Sequence, residues 1–331
     1  MKIRENVPIS ELTTMRIGGA ARYVIDIETI EDVRQAYIFA RQHAGGKTYI
    51  LGGGANTIGR DEGYDGAILV NKLSGYEFEG LKASAMGGVN WDEFVAAAAE
   101  RGLTGIEAMS MIPGTVGAAP VQNIGAYGQE ASDTITSVVG YDTESDEMVT
   151  IQAKDCKFGY RSSIFNNGEK AGRYFIVSVN FEFKEGKMEP PFYNSLQRYL
   201  DENGISDYSP VSIRKAVMAV RAEKLPDPRY EASAGSFFKN VYVDETRAAK
   251  LMEMGVPVRN GKVNTAWLIA EAGLAGKLLH GMRVSEAAPL VLINESARGY
   301  SDLAAARAEI IAAVNDKFGI RIEQEPVEIL A

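Results

Sequence analysis

A chain of 331 residues with 46% hydrophobic composition carries more apolar material than one small core needs, so two domains are expected. Its 35 basic and 44 acidic residues leave a formal charge of -9, which excludes the broad positive field that a nucleic-acid backbone requires. With one cysteine, Cys156, and only His43 and His280 beside it, neither an intrachain disulfide nor a Cys/His zinc site can be assembled, which suits a reducing cytoplasm.

The N-terminal MKIRENVPISELTT turns polar at once, unlike a signal peptide, and no later stretch is long and uncharged enough to span a membrane. A soluble cytoplasmic protein is expected. Residues 22–27 are rich in strand formers; Thr29 then caps a helix whose first turn carries Glu31 and Asp32, and Gly45-Gly46 ends it. Short buried-strand patterns follow at 49–51 and 67–70, each next to a glycine-rich turn. Residues 91–101 predict an alanine-rich helix stopped by Gly102. Val177, Val179, Phe181 and Phe183 alternate with polar residues, the period of a half-buried strand.

The polar stretch 184–208 has no sustained period and predicts the domain boundary. Ser209-Pro210 then opens a helix to about 223, ended by Leu225-Pro226-Asp227-Pro228. Helices over 244–254, 264–272 and 301–318, with strands over 290–293 and 320–329, predict an α+β second domain.

Five stretches carry chemistry. In ILGGGANTI (50–58) a strand runs into three glycines whose N–H groups can approach a phosphate; Thr57 and the loop-like continuation exclude a dinucleotide fingerprint, and a tight turn explains it equally well. IPGTVGAAPVQNIGAYG (112–128) has four glycines and no charge, so its backbone can lie against a planar or phosphorylated ligand; the alternative is a buried crossover. FGYRSSIF (158–165) sets Arg161 among aromatics, suited to a carboxylate or phosphate or to covering a ring. In AGSFFKN (234–240) Ser236 has no His or Asp motif nearby to make it a hydrolase nucleophile. In RIEQEPVEIL (321–330) Glu323 and Glu325 share one face of an expected strand, which is also how a solvated edge looks.

In this order and spacing the five stretches resemble the family of UDP-N-acetylenolpyruvoylglucosamine reductases, from TTMRIGGAA at residue 13 to the final glutamates. The resemblance implies an α+β fold. It consists of a two-lobed FAD-binding domain of the vanillyl-alcohol-oxidase/PCMH type over 1–186 (lobes about 1–71 and 72–186), a linker and substrate loop over 187–208, and a smaller substrate-binding domain over 209–331. FAD would be held non-covalently by Gly52, Gly53, Gly54, Ala55, Asn56, Thr57, Pro113, Gly114, Gly117, Ala118, Gln122, Asn123, Gly125, Ala126 and Tyr127.

By the same likeness NADPH gives hydride to FAD, and reduced flavin gives it to the substrate's enolpyruvyl group. Arg161 would face the developing charge, Ser236 would donate the proton, and Glu325 would polarise the substrate carboxylate. PFYNSL (191–196) and KLPDP (224–228) resemble the family form in which Tyr193 covers the sugar nucleotide, with Lys224 and Asn240 toward diphosphate and sugar. A monomer is expected, with NADPH and the nucleotide sugar as its only partners. Two departures stand out: Ser285 to Ala288 replace the usual histidine and glutamine, and Pro326 replaces a valine, which keeps Glu323 as an alternative to Glu325. An oxidase with covalent flavin would need a His or Cys anchor, and Cys156, His43 and His280 all lie outside the glycine-rich motifs. A nucleotide-sugar binding protein without chemistry is the non-enzymatic alternative that Ser285 and Ala288 permit.

Overall fold

Thr29 starts the first helix with a reciprocal cap: its hydroxyl accepts from the Asp32 N–H at 3.2 Å, and the Asp32 carboxylate accepts from the Thr29 N–H at 3.0 Å. The helix, Ile30–His43, buries Val33, Ala36, Tyr37 and Ala40 against Ile25, Ile27, Ala67 and Leu69 of the adjoining sheet. That sheet has the strand order Lys2–Pro8, Ala20–Ile27, Tyr64–Asn71, Thr48–Leu51, and its last two strands are parallel. The computed structural model describes residues 1–330.

The chain folds as two units. The first comprises Met1–Asn6, Ala21–Gly53 and Asp65–Arg221; the second comprises Val7–Ala20, Gly54–Tyr64 and everything from Ala222 onward. The second sheet of the first unit is antiparallel, in the order Glu147–Gln152, Ile135–Asp142, Tyr174–Glu182, Lys82–Met86, Tyr76–Glu79. The alternation expected from Val177 onward holds for Val179, Phe181 and Phe183, which share a core with Trp91 and Phe94 of the helix Trp91–Glu100. Val177 instead packs with Phe175 in the other core. Ser178 pairs with Val139 and Ile176 with Gly140, so one extra residue on the long strand turns it over at that point.

The stretch expected as linker and substrate loop, 187–208, has a helix of its own. This stretch holds the helix Asn194–Glu202, whose Leu196 and Leu200 are fully buried, with Phe192, against Ala108, Ile213, Ala216 and Val217. Two leucines four apart supply one helical stripe, too short a signal to stand out among polar neighbours. The next helix, Pro210–Lys224, starts at Pro210 as expected, but its apolar face belongs to this same core. The chain therefore leaves the first unit near the end of that helix, at Arg221.

In the second unit an antiparallel sheet runs Ser233–Ser236, Val291–Asn294, Met282–Val284, Leu278–Leu279. The helices Glu245–Glu253, Thr265–Glu271 and Tyr300–Phe318 pack on a core of Phe237, Phe238, Leu268, Leu303 and Ile310. Asp244 and Asn264 cap the first two, and Gly319, at φ 63, closes the third. The strand expected over 320–329 is divided. Gln324 forms a single bridge with Phe238, and only Val327–Ile329 is a strand, parallel to Thr57–Gly59. Pro326 lies between the two and has no N–H to continue a ladder. No helix among the described residues is long and apolar enough to cross a membrane.

One ion pair of the first unit carries a pH signature. The Arg173 guanidinium bonds both Asp142 oxygens, at 2.7 and 2.5 Å, and holds that carboxyl down to about 2. A depressed carboxylate stabilises the fold above its unfolded pKa, and that contribution disappears as pH falls from roughly 4 through 2. Asp142→Asn should therefore cost on the order of 1 kcal/mol at pH 7, and progressively less as pH falls through 2. Denaturant melts of both proteins from pH 7 downward check it; a difference that does not shrink as pH falls from roughly 4 through 2 would exclude the ion pair as its cause.

Candidate active site

In the first unit the two glycine-rich motifs lie against one another. A Cβ on Gly52 would stand 2.7 Å from the Thr115 hydroxyl oxygen and 3.3 Å from Ala118 Cβ, and one on Gly53 would stand 3.0 Å from Gly114 Cα. Any larger residue at 52 would displace Thr115. That hydroxyl is buried and has no hydrogen-bond partner among the described residues. Polar atoms in this position are seldom left unsatisfied, so it is suited to a ligand. Backbone bonds fix the loop: Trp91 N–H donates to Gly114 O at 3.1 Å, Val116 N–H to Val89 O at 2.9 Å, and Gly117 N–H to Gly87 O at 2.8 Å.

FGYRSSIF is tied to the same loop at three points. The Asn123 amide donates to Gly159 O at 3.3 Å, Arg161 Nη2 to Gly125 O at 3.0 Å, and Ser163 Oγ to Val121 O at 2.6 Å. Arg161 has the left-handed backbone of a tight turn, φ 53, and stacks over Tyr160 at 5.2 Å. Asn123, expected among the cofactor contacts, is fully buried; its amide also donates to Glu130 and its carbonyl accepts from Ser132 N–H, so it braces the loop from within. Tyr127 packs edge-on against Tyr193, with ring centres 5.8 Å apart, and Tyr193 is 49% exposed at the start of the helix Asn194–Glu202.

Sequence reasoning missed the charges beneath this loop. Arg221 bonds the Tyr127 hydroxyl and, at 3.2 Å, Met111 O; burial pulls its guanidinium below the ordinary value and pushes the Tyr127 phenol up. Asp92 accepts from the Met111 N–H at 2.6 Å and takes two bonds from Arg214; burial opposes its charge, but those bonds leave its carboxyl below the ordinary range. The available signal was the spacing of Arg214 and Arg221, seven residues apart on one helix face.

In the second unit Gly54 is confined to glycine: its φ is 64, and a Cβ would lie 2.0 Å from Leu12 O. Asn56 O accepts from Val327 N–H at 2.9 Å, and Thr57 begins the strand paired with Val327–Ile329, so both residues serve this pairing through their backbones. Ser236 is half-buried at the end of its strand, beyond a bulge in which Gly235 has φ 67. Glu325 N–H donates to Phe237 O at 2.9 Å, which sets Glu325 across from the residue following Ser236. Glu323 pairs with Lys239 N–H through its own carbonyl and is exposed, whereas Glu325 is half-buried.

Asn240 Oδ1 accepts from Thr265 N–H at 3.2 Å, so this side chain is partly spent on the next helix; Lys224 is the half-buried last residue of its own helix. Where the departure at Ser285 was expected to remove a contact, its hydroxyl closes a turn by accepting from Ala288 N–H at 3.2 Å. Cys156 is buried and its thiol is pushed up to about 11 by that burial, which makes it a poor nucleophile.

Known proteins resemble this chain along nearly its whole length. The model of an FAD binding domain matches residues 21–148, and that of the UDP-N-acetylenolpyruvoylglucosamine reductase C-terminal domain matches residues 227–329. A UDP-N-acetylenolpyruvoylglucosamine reductase of Ralstonia nicotianae is 36% identical over 338 residues, covering 97% of this chain and 98% of that protein. One of Streptomyces avermitilis is 34% identical over 349 residues, covering 98% and 94%. The crystal structure of the UDP-N-acetylenolpyruvylglucosamine reductase of Thermus caldophilus matches at a TM-score of 0.70 and 22% identity over 99% of this chain and 100% of that one, a likeness of fold. The motifs, the two matched domains and the end-to-end identity agree, and the chain belongs to the family of UDP-N-acetylenolpyruvoylglucosamine reductases.

Proposed function

We propose that this protein reduces UDP-N-acetylglucosamine enolpyruvate to UDP-N-acetylmuramate with NADPH and bound FAD, in the synthesis of peptidoglycan precursors. The observation that carries this reading is the joining of the motifs in pairs: 52–53 to 114–118, 123–125 to 159–161, and 325 to 237. The residues present fit an FAD. Gly52 and Gly53 bring their backbone directly against the loop with no side chain between, and the unpartnered Thr115 hydroxyl offers a ligand a hydrogen bond. Bound there, FAD supplies the hydride carrier between NADPH and the substrate's double bond.

The protein's part is electrostatic and positional. When hydride adds to the terminal carbon of the enolpyruvyl group, negative charge develops on the neighbouring carbon and spreads into the attached carboxylate. Arg161, whose backbone is fixed in its turn and whose guanidinium is anchored on Gly125 O, supplies the cation that stabilises this charge. Ser236 gives the proton that the carbanion takes at carbon, an acceptor basic enough to draw it from a hydroxyl. Glu325, rather than the exposed Glu323, polarises the substrate carboxylate. Tyr193 covers the sugar nucleotide, and Lys224 contacts its diphosphate. Asn240, with its oxygen engaged by Thr265, has an amide N–H to offer.

Two variants test the proposal. Ser236→Ala should bleach its flavin with NADPH at a near-normal rate in anaerobic stopped flow, yet return the colour on adding UDP-N-acetylglucosamine enolpyruvate at least about 100-fold more slowly. Normal rates in both phases would remove Ser236 from the chemistry. Gly52→Ala should weaken FAD binding about tenfold or more in a fluorescence titration of the apoprotein, because the added methyl group displaces Thr115. An unchanged affinity would show that the close contact between 52 and 115 is not part of the cofactor site.

A further inference from the structure

The segment that carries Glu325 is fixed at both ends and has a gap in the middle. On one side Lys239 N–H donates to Glu323 O and Glu325 N–H to Phe237 O, both at 2.9 Å. On the other, Val327 N–H donates to Asn56 O at 2.9 Å and the strand Val327–Ile329 begins. Between them Pro326 has no N–H, so the backbone ladder is interrupted directly after Glu325.

The side chain of Gln324 closes that gap. Its amide nitrogen donates to Pro326 O at 2.7 Å, spanning Glu325 from the residue before it to the residue after it. Its oxygen accepts from Arg307 Nη1 at 2.5 Å, and the same nitrogen bonds Glu328 Oε1 at 2.5 Å. Arg307 belongs to the helix Tyr300–Phe318, and its Nη2 donates to the Tyr300 hydroxyl at 3.2 Å. Arg60 takes the second Glu328 oxygen with two bonds, at 2.9 and 2.6 Å. The guanidinium groups of Arg60 and Arg307 both lie over the Tyr300 ring, at 5.1 and 5.7 Å.

The strand pairing and the buried Ile322 and Ile329 already anchor the tail in the core. The bond from Gln324 to Pro326 adds little to that anchoring. It ties the side chain of Gln324 to the Pro326 carbonyl, closing a ring that contains both peptide groups flanking Glu325, and so governs the direction in which the Glu325 side chain leaves the backbone. We infer that Gln324, held in place by Arg307, is a positioning residue that sets the pose of the Glu325 carboxyl toward the substrate. The inference rests on the reading of Glu325 as the polarising carboxyl. A carboxyl that must meet one substrate group is sensitive to displacements near 1 Å, on the order of 100-fold in rate.

The experiment is a double-mutant cycle on the FAD-loaded enzyme, with flavin bleaching by NADPH, flavin reoxidation by UDP-N-acetylglucosamine enolpyruvate, FAD affinity and melting temperature measured for each protein. Gln324→Ala should slow reoxidation about 100-fold while bleaching, FAD affinity and melting stay close to the parent. Gln324→Ala combined with Glu325→Gln should be no slower than Glu325→Gln alone, because Gln324 acts only through Glu325. Losses that multiply would overturn the inference, as would a normal rate in Gln324→Ala beside a slow Glu325→Gln; in both cases the reading of Glu325 stands. A normal rate in Glu325→Gln would instead defeat that reading, and the inference with it. Should Gln324→Ala fail to fold, Arg307→Lys keeps a cation for Glu328 but loses the planar fork that serves Gln324 as well. It should show the same isolated slowing of reoxidation, and a normal rate there overturns the inference.

Discussion

Close approach of two backbones with no side chain between them sets the geometry on which the first unit depends. Gly52 and Gly53 end a parallel strand directly against Gly114, Thr115 and Ala118, and the missing Cβ atoms are what permit the contact. The loop so placed then organises its surroundings. It is bonded to the turn before the helix Trp91–Glu100, it receives Asn123, Arg161 and Ser163 contacts from or to the next motif, and its Tyr127 meets Tyr193. A chain rich in small uncharged residues is thereby fixed by backbone bonds to the preceding turn and by the side chains of Asn123, Arg161 and Ser163.

The electrostatics are local and run against the global sign. The chain carries -9 overall, yet the groups assembled around this loop include Arg161, Arg214 and Arg221. Each is held by acceptors that fix its direction: Gly125 O, the Asp92 carboxylate, and the Tyr127 hydroxyl with Met111 O. Asp92 answers Arg214 directly and Arg221 only at longer range, so part of the Arg221 charge is balanced by neutral dipoles. A buried cation held this way is costly in the folded protein, and such costs concentrate where a ligand brings compensating charge.

The motifs were readable because each needs unusual composition. Three consecutive glycines, an uncharged run of 17 residues and an arginine among aromatics are rare in combination, and the structure brings the glycines against the run and bonds the arginine to it. The start of the first helix was legible for a similar reason, since the capping side chain of Thr29 marks it. What stayed hidden depends on partners distant in sequence. The helix Asn194–Glu202 has only two strongly buried leucines, and its reason for folding is a core shared with Ala108 and Ile213. The bulge that turns Val177 away from Val179 is set by the neighbouring strand and not by either valine. Arg221 looks like any exposed helix arginine until the fold brings Tyr127 and Met111 to it.

The second unit is assembled from three separated stretches, and Met15, Ile17 and Ile58 share one core with Phe237, Leu268 and Leu303. During synthesis on the ribosome, residues 7–20 and 54–64 emerge long before most of their packing partners exist. Their apolar side chains must wait for those partners while Asp65–Arg221 of the first unit is made. This unit can complete its core only after the stretch from Ala222 onward has been made, and nascent chains stalled before it would present Met15, Ile17 and Ile58 without those partners. An excised fragment limited to the C-terminal match, 227–329, would likewise have a core lacking these three side chains.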